Sequence, residues 1–397
     1  MKKYFIFNND IILIEGKERG LIHNLNNGTA FSIDKYSKEY LSMIISGKTI
    51  NEVIGENKDF IQYLDMLVNK KIGYYSDYFV KSGVINYKKN VDKSVKTVWF
   101  ELRKACNLNC CHCYLDSNSN CDNDLKLLSL EEWKKVIDEL EGHSPLKVIL
   151  IGGEPLLYKG IEELIDYCRE KFNKSEIVLY SNITLLTDKI EKCIIKNKIK
   201  VVTSVYSHDE GTHDKITNKK GSFNSTVRNI KRLIEKGVYV QANTVIMTYN
   251  VNDIDKTLLF VKELTENRGK IDYIRNVGKS KEHLLIKNEK TKKFNLVKKD
   301  EFIRNYSGNT CYQGKINITC DGYVSPCIMS NKYIDYRYNI RNYSISDIIE
   351  NYIYPTFWCL SKDAIDECKE CEYRYICKDC RAKANKIFSK QDDCPLL

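Results

Sequence analysis

The sequence predicts an α/β protein: a partial barrel of six strand-and-helix units, preceded by a small winged-helix-like unit and followed by a cysteine-rich tail. Three observations carry this reading. Apolar strand-like runs alternate with helical periods between residues 97 and 277. The first 80 residues contain no cysteine and read as short strands followed by three amphipathic segments. Most of the 16 cysteines fall in two places, a loop at 106–113 and the stretch from 311 onward.

Composition narrows the class. A chain of 397 residues with 43% hydrophobic and 29% charged residues is globular, with room for several domains. Its net charge of +10 comes from lysines spread along the whole length, which reads as a solvated basic surface. No apolar run reaches the roughly 18 residues of a membrane helix. Lys2-Lys3 is followed by a short apolar patch that Asn8-Asn9-Asp10 interrupts, which argues against a secretory signal. The expectation is a cytoplasmic protein, where so many thiols point to metal ligation over disulfides.

In the first zone, strands are expected at 4–7, 11–14 and 29–33, with Asn8-Asn9-Asp10 as a turn. Helices follow at 35–46, with Tyr36, Tyr40, Leu41 and Ile44 on one face, at 49–55, and at 58–70. The last carries Phe60, Tyr63, Leu64, Leu67 and Val68. A polar, lysine-rich stretch at 81–96 is the expected linker. Barrel strands are expected at 97–102, 147–150, 176–179, 200–205, 238–246 and 273–277. Ser129 and Glu132 form a capping box ahead of Trp133, Val136, Ile137 and Leu140. Parallel units of this kind bind ligands at the carboxyl ends of their strands. The expected division is 1–80, linker 81–96, core 97–280, bridge 281–310 and tail 311–397.

At the end of the first barrel strand stands Cys106-Asn107-Leu108-Asn109-Cys110-Cys111-His112-Cys113. Thiolates at 106, 110 and 113 let one loop ligate three of the four irons of a cubane cluster. A zinc loop is the other reading, and it needs a fourth ligand that His112, next to Cys113, offers only under strain. The second strand ends in Gly152-Gly153-Glu154-Pro155, where the glycines permit unusual backbone angles and the proline stops the strand. The tail holds Cys311, Gly322 and Cys327, then Cys368, Cys371, Cys377 and Cys380 as two close pairs, and finally Cys394. Alone, the two pairs read as a zinc knuckle, but the thiols outnumber what one zinc needs. Cys168 and Cys193 fall on apolar helix faces as small hydrophobes, and Cys111 and Cys121 are left over.

The cysteine loop, followed one unit later by Gly-Gly-Glu-Pro, resembles the radical S-adenosylmethionine (SAM) superfamily. The resemblance implies a 4Fe-4S cluster on Cys106, Cys110 and Cys113, with SAM chelating the open iron. It implies cofactor contacts from Gly152, Gly153, Glu154 and Pro155, from Ser181 and Asn182, and from Ser204 and Tyr206. The glycine usual in the family after the third strand is Ile183 here. The tail resembles the SPASM domain of peptide-modifying radical enzymes and implies two auxiliary 4Fe-4S clusters, hence three in all. One would rest on Cys368, Cys371, Cys377 and Cys394, the other on Cys311, Cys327 and Cys380. The fourth ligand of the latter is Cys320, Cys359 or none, with Cys320 favoured. Two residues, Lys378-Asp379, stand where the fullest family pattern has three. Ile328 follows Cys327 where sulfatase-maturing relatives carry an aspartate base, which disfavours formylglycine formation.

The first 80 residues resemble the small peptide-binding domain of the pyrroloquinoline-quinone type. In that family a leader peptide adds as a strand and packs on the third helix. Here the implied contacts are Thr29, Ala30, Phe31, Ser32 and Ile33, with Tyr63 and Leu67. Together the resemblances imply a peptide maturase that forms thioether, or else carbon–carbon, cross-links by hydrogen abstraction with a 5′-deoxyadenosyl radical. Its partners would be a ribosomal precursor peptide, leader plus core, and an electron donor such as flavodoxin or ferredoxin, with no membrane and no nucleic acid. Two other readings stand beside it: radical oxidation of a small molecule or folded protein, and an iron–sulfur redox sensor that binds DNA. Against the latter, the segment at 58–70 is apolar and aromatic where a recognition helix is basic.

Overall fold

The computed structural model describes residues 3–55, 57–286, 296–378, 380–391 and 394. It divides into two compact units, one of residues 1–91, 290–313 and 357–397, the other of 92–289 and 314–356.

The first unit begins with β1 (Tyr4–Phe7), β2 (Ile11–Glu15), β3 (Gly20–Asn24) and β4 (Ala30–Ile33). Then come α1 (Lys35–Ile45), α2 (Ile50–Ile54), α3 (Lys58–Asn69) and β5 (Gly73–Ser76). Each helix starts on a side-chain cap: Asp34 accepts from the Ser37 amide, Thr49 and Glu52 form a capping box, and Asn57 accepts from the Phe60 amide. Where the sequence suggested three strands there are five, in two antiparallel sheets, β2-β3-β4 and β1-β5. β3 escaped notice because His23 and Asn24 break its apolar run. His23 is nonetheless buried, its Nε2 2.8 Å from the Val297 carbonyl oxygen. β5 is short, and Gly73 lets it lie close to β1, since a Cβ there would meet the Ile6 carbonyl at 2.5 Å. The expected third strand is therefore β4, which starts at Ala30, one residue late, and among the described residues pairs only with β3. Leu41, Ile44, Phe60, Leu64 and Leu67 close one core, while Tyr36, expected on the same face, is exposed. This unit also holds helices Lys299–Ser307 and Asp366–Lys369.

The second unit is the six-fold alternation. β6 (Thr97–Arg103), α4 (Leu130–Glu141), β7 (Lys147–Gly152), α5 (Ile161–Lys171), β8 (Glu176–Tyr180), α6 (Asp188–Lys196) and β9 (Lys200–Ser204) lead the way. α7 (Glu210–Thr217), α8 (Ser222–Glu235), β10 (Val240–Ile246), α9 (Ile254–Leu264) and β11 (Lys270–Tyr273) complete it. These six strands are parallel. β12 (Lys315–Ile318) joins β6 in parallel and β13 (Val324–Ser325) turns back on it, giving the order β11-β10-β9-β8-β7-β6-β12-β13. The partial barrel is as expected, with one correction. The sixth strand lies at 270–273 and not 273–277, because at the sheet edge its pairing backbone carries exposed Lys270 and Ile271, while the apolar residues that follow turn toward the strand ends. Among the described residues no helix is long and apolar enough to cross a membrane.

Candidate active site

β6 ends beside β7, and the contact is made of backbone. Arg103 pairs with Gly152 across a bulge, the Gly153 amide donates to the Arg103 carbonyl at 2.7 Å, and the Glu154 amide to the Ala105 carbonyl at 3.0 Å. A Cβ on Gly152 would meet the Arg103 carbonyl at 2.2 Å, and Gly152 also sits at φ +144°. A Cβ on Gly153 would meet the Ala105 carbonyl at 2.3 Å. The two glycines therefore let the chain entering the cysteine loop run directly against the end of β7. Asp122 fastens that entry from the other side, pairing with Arg103 and accepting from the Lys104 and Ala105 amides at 2.9 and 3.0 Å.

The loop itself is tied on two flanks. Asn109 and Cys111 donate their amides to the Thr217 and Ile216 carbonyls at the end of α7. Lys279 donates its amide to the Cys113 carbonyl at 2.9 Å, and its ammonium reaches Asn109 and the Ser117 carbonyl. Gly278, at φ +65°, permits this approach, since a Cβ there would meet the Cys113 carbonyl at 2.3 Å. The amides of Leu108 and Ser117 point at the sulfurs of Cys106 and Cys113, 3.4 Å away in each case.

Cys106, Cys110 and Cys113 line one cavity of about 430 Å³ at the carboxyl ends of the strands. Gly152, Gly153, Ser181, Asn182, Ser204 and Tyr206 line it too. Glu154 and Pro155 stand behind this wall. The fully buried Glu154 carboxylate accepts from the Ser181 hydroxyl at 2.6 Å and from the amides of Asn182 and Leu156 at 2.8 and 2.9 Å, so it holds the ends of β7 and β8 together. Burial raises its carboxyl to about 7 against those three donors. Burial likewise lifts the Cys106 thiol to about 12, and burial plus the neighbouring thiols raises Cys110. His112 is kept neutral by burial, at about 4, and packs edge-on against Tyr206 at 4.7 Å. Three thiols on one wall, each able to take a different iron, fit a cubane cluster with one iron left open.

Residues 101–261 match the profile of the Radical SAM superfamily. The chain is 27% identical over 230 residues, 57% of its own length and 50% of the relative's, to the antilisterial bacteriocin subtilosin biosynthesis protein AlbA of Bacillus subtilis. It is 32% identical over 164 residues, 41% of this chain and 40% of the relative, to Fe-coproporphyrin III synthase of Methanosarcina barkeri. The matches thus take in half or less of these curated relatives. Among solved structures, Streptococcus suis SuiB shares the fold, with a TM-score of 0.62 at 16% identity over 98% of this chain and 99% of SuiB. SuiB bound to its precursor peptide SuiA gives 0.61 over the same shares.

Sequence reasoning missed five residues of the second unit that shape the site. Asp122 and the Gly278-Lys279 pair position the cysteine loop as described. Tyr114, directly after Cys113, lines the cavity with a buried hydroxyl that has no hydrogen-bond partner among the described residues. Glu101 is 3% exposed, accepts on Oε2 from Asn331 at 3.2 Å and Asn317 at 3.5 Å, and is raised by burial to about 7. A lone carboxylate between Phe100 and Leu102, in a strand otherwise buried, was the available signal.

The expected auxiliary ligands divide between the units: Cys320 and Cys327 lie in the second, Cys311, Cys359, Cys368, Cys371, Cys377, Cys380 and Cys394 in the first. Burial raises the Cys371 thiol, and Glu372, Cys368 and Cys394 add to the rise. Cys311 and Cys377 line one cavity of about 430 Å³ with Arg304 and Arg374. Cys320 is buried at the turn between β12 and β13, where burial and the carboxylates of Glu101, Asp321 and Asp122 raise its thiol.

In the first unit, β4 presents an edge on which Thr29 and Phe31 are exposed, Ala30 and Ser32 half-buried and Ile33 buried. Leu67, expected to face a peptide, is instead fully buried: at helical spacing it shares the inner face of α3 with Phe60 and Leu64, and the outward residues are Ile61 and Met66. Tyr63 is half-buried, its hydroxyl without a hydrogen-bond partner among the described residues.

Proposed function

We propose that this protein is a radical SAM enzyme that modifies a ribosomally made peptide, forming thioether cross-links. The observation that carries the reading is the meeting of Cys106, Cys110 and Cys113 with the Gly152-Gly153 strand end on one cavity wall within the radical SAM domain. Cys106, Cys110 and Cys113 would hold the cluster, and the Leu108 and Ser117 amides would donate to two of their sulfurs. SAM would lie along Gly152, Gly153, Ser181, Asn182, Ser204 and Tyr206, with Glu154 and Pro155 fixing that wall from behind. When bound, this pair supplies a 5′-deoxyadenosyl radical able to take hydrogen from an unactivated carbon. The protein's own work is position and exclusion of water: Tyr180, Val202, Val245 and Ile328 give the cavity apolar walls.

The peptide reading is supported by AlbA, a bacteriocin biosynthesis protein, and by SuiB, which binds a precursor peptide. In this chain a leader peptide would add to the open edge of β4 and cover Phe31, Ile61 and Met66, each about one third exposed. The tail cysteines would carry two auxiliary 4Fe-4S clusters, and an electron donor of the flavodoxin or ferredoxin type would reduce the first cluster. The identity to Fe-coproporphyrin III synthase favours a second reading, oxidation of a small molecule. Anaerobic reconstitution followed by reduction in the presence of SAM tests the core of the proposal. Formation of 5′-deoxyadenosine by the intact protein and none by Cys106→Ala is expected; equal amounts from both would refute it. Binding of a synthetic leader peptide separates the two readings.

A further inference from the structure

Between Cys106 and Cys113 the loop reaches the surface at Asn109, which is exposed while Leu108 before it is buried and Cys110 after it half-buried. The carboxyl end of α7 lies directly against this apex, its Thr217 and Ile216 carbonyls taking the Asn109 and Cys111 amides at 3.1 and 3.0 Å. Lysine is concentrated there: Lys215, Lys219 and Lys220 are all exposed. Elsewhere in this unit lysines commonly face a carboxylate, as Lys134 does Glu163, Lys171 Asp138, Lys196 Asp166 and Lys200 Glu176. Among the described residues the three at the end of α7 have no such partner, and the Lys215 ammonium stands 4.3 Å from the centroid of the Tyr249 ring. The nearest carboxylate in sequence, Asp214, is engaged by the start of α8: it accepts from the Gly221 and Phe223 amides at 2.5 and 2.9 Å and from the Ser222 hydroxyl at 2.8 Å. Lys279, with its ammonium on Asn109 and the Ser117 carbonyl and Asp116 3.6 Å away, adds a fourth cation beside the apex.

We propose that this group of lysines is the docking face for an acidic one-electron carrier protein, a flavodoxin, that reduces the cluster held by the loop. The inference rests on the radical SAM reading and gives its electron donor a place on the chain. Electrons pass between proteins only where donor and acceptor come close, and the apex is where the loop meets the surface. Exposed lysines with no carboxylate of their own attract a partner of opposite charge and orient it as it arrives. The exposed Tyr249 ring beside Lys215 offers a flat apolar surface to the open edge of a flavin, which favours a flavodoxin over a ferredoxin. In the step itself the anionic flavin hydroquinone gives up one electron and becomes the neutral semiquinone. The cluster takes that electron, and no bond or proton is exchanged.

The test uses the reconstituted full chain, a fluorescently labelled flavodoxin and two reductants. Lys219→Glu with Lys220→Glu reverses the charge of the face. Lys231→Glu with Lys236→Glu makes the same change in net charge at the end of α8 that leads back to the start of β10. At low salt the first pair is expected to bind flavodoxin about tenfold more weakly than the wild type, read by anisotropy, and to form 5′-deoxyadenosine about tenfold more slowly when flavodoxin hydroquinone is the reductant. Dithionite, small enough to need no docking face, should drive both equally. Rising salt should bring the wild type toward the variant, because it screens the lysines, and the control pair should follow the wild type throughout. Equal flavodoxin affinity of the wild type and the first pair, or equal losses from both pairs, would overturn the docking face and leave the radical reading intact. A wild type reduced by an acidic ferredoxin and not by flavodoxin would overturn it as well. No 5′-deoxyadenosine from the wild type with dithionite would overturn the radical SAM reading itself.

Discussion

The two cysteine-rich stretches share long-range anchors but differ in their local turns. The loop at 106–113 is held by residues far away in sequence: Asp122, the end of α7, and Gly278-Lys279. The stretch from Cys368 to Cys380 adds short turns of its own, with the Cys371 amide on the Cys368 carbonyl, Ile376 on Tyr373 and Cys377 on Tyr373, to long-range anchors: Tyr375 and Ile376 in the core, the Asn305 side chain on the Tyr375 carbonyl, the Arg374 guanidinium on the Glu15 carbonyl and the Lys17 amide on the Glu370 carbonyl. A cluster bound among the successive short turns of the tail would contribute folding energy there, whereas at the barrel loop it would chiefly bring chemistry.

The largest effects should come from the loop. Replacing Cys106, Cys110 or Cys113 by alanine is expected to remove about four of about twelve irons per chain and all detectable 5′-deoxyadenosine, as read by iron analysis and chromatography. Melting should shift little, because the loop keeps its backbone ties. A collapse in melting temperature would erase the contrast between the regions. Next comes the tail. Stripping iron with a chelator, or Cys371→Ala, should raise proteolysis within 357–397 about tenfold while 97–280 resists; equal protection of both would mean that the tail is as pre-shaped as the loop.

Gly153→Ala forces a Cβ to within 2.3 Å of the Ala105 carbonyl. It should cost about 2–4 kcal/mol and weaken SAM binding, since the cysteine loop must move away from β7. Denaturant unfolding and equilibrium dialysis measure the two losses, and an unchanged protein would show that the glycines do not set the loop. The smallest effect is a pH dependence. Burial raises Glu101 from 4.5 to about 7, so between those values the folded protein keeps a proton that the unfolded chain has released. Wild-type stability should therefore fall relative to Glu101→Gln as pH rises through that window and level off above it, by on the order of 2–3 kcal/mol. A flat difference across the window would contradict the burial.

Much of this was legible in the sequence where local chemistry and periodicity agree. Trp133, Val136, Ile137 and Leu140 repeat at helical spacing behind a capping box, and α4 buries all four. The cysteine loop and Gly-Gly-Glu-Pro fall at strand ends because glycine and proline punctuate the chain there. What stayed hidden depends on pairing across long separations. β3, β5 and β12 are short strands whose partners, not their composition, make them strands. Glu101, Asp122 and Lys279 act through groups that only the fold brings near. Leu67 was misjudged because an amphipathic face marks what a helix buries, and here it is buried in its own unit.

The central claim is a hydrogen-abstracting enzyme whose substrate is a peptide. Mass spectrometry of candidate precursors, short cysteine-containing peptides sought beside this gene, after anaerobic incubation with reduced, reconstituted protein and SAM, tests it most directly. The account predicts a peptide lighter by two hydrogens for each cross-link, formed together with 5′-deoxyadenosine and lost when the cysteine of the cross-link becomes alanine. An unmodified peptide beside abundant 5′-deoxyadenosine would contradict it.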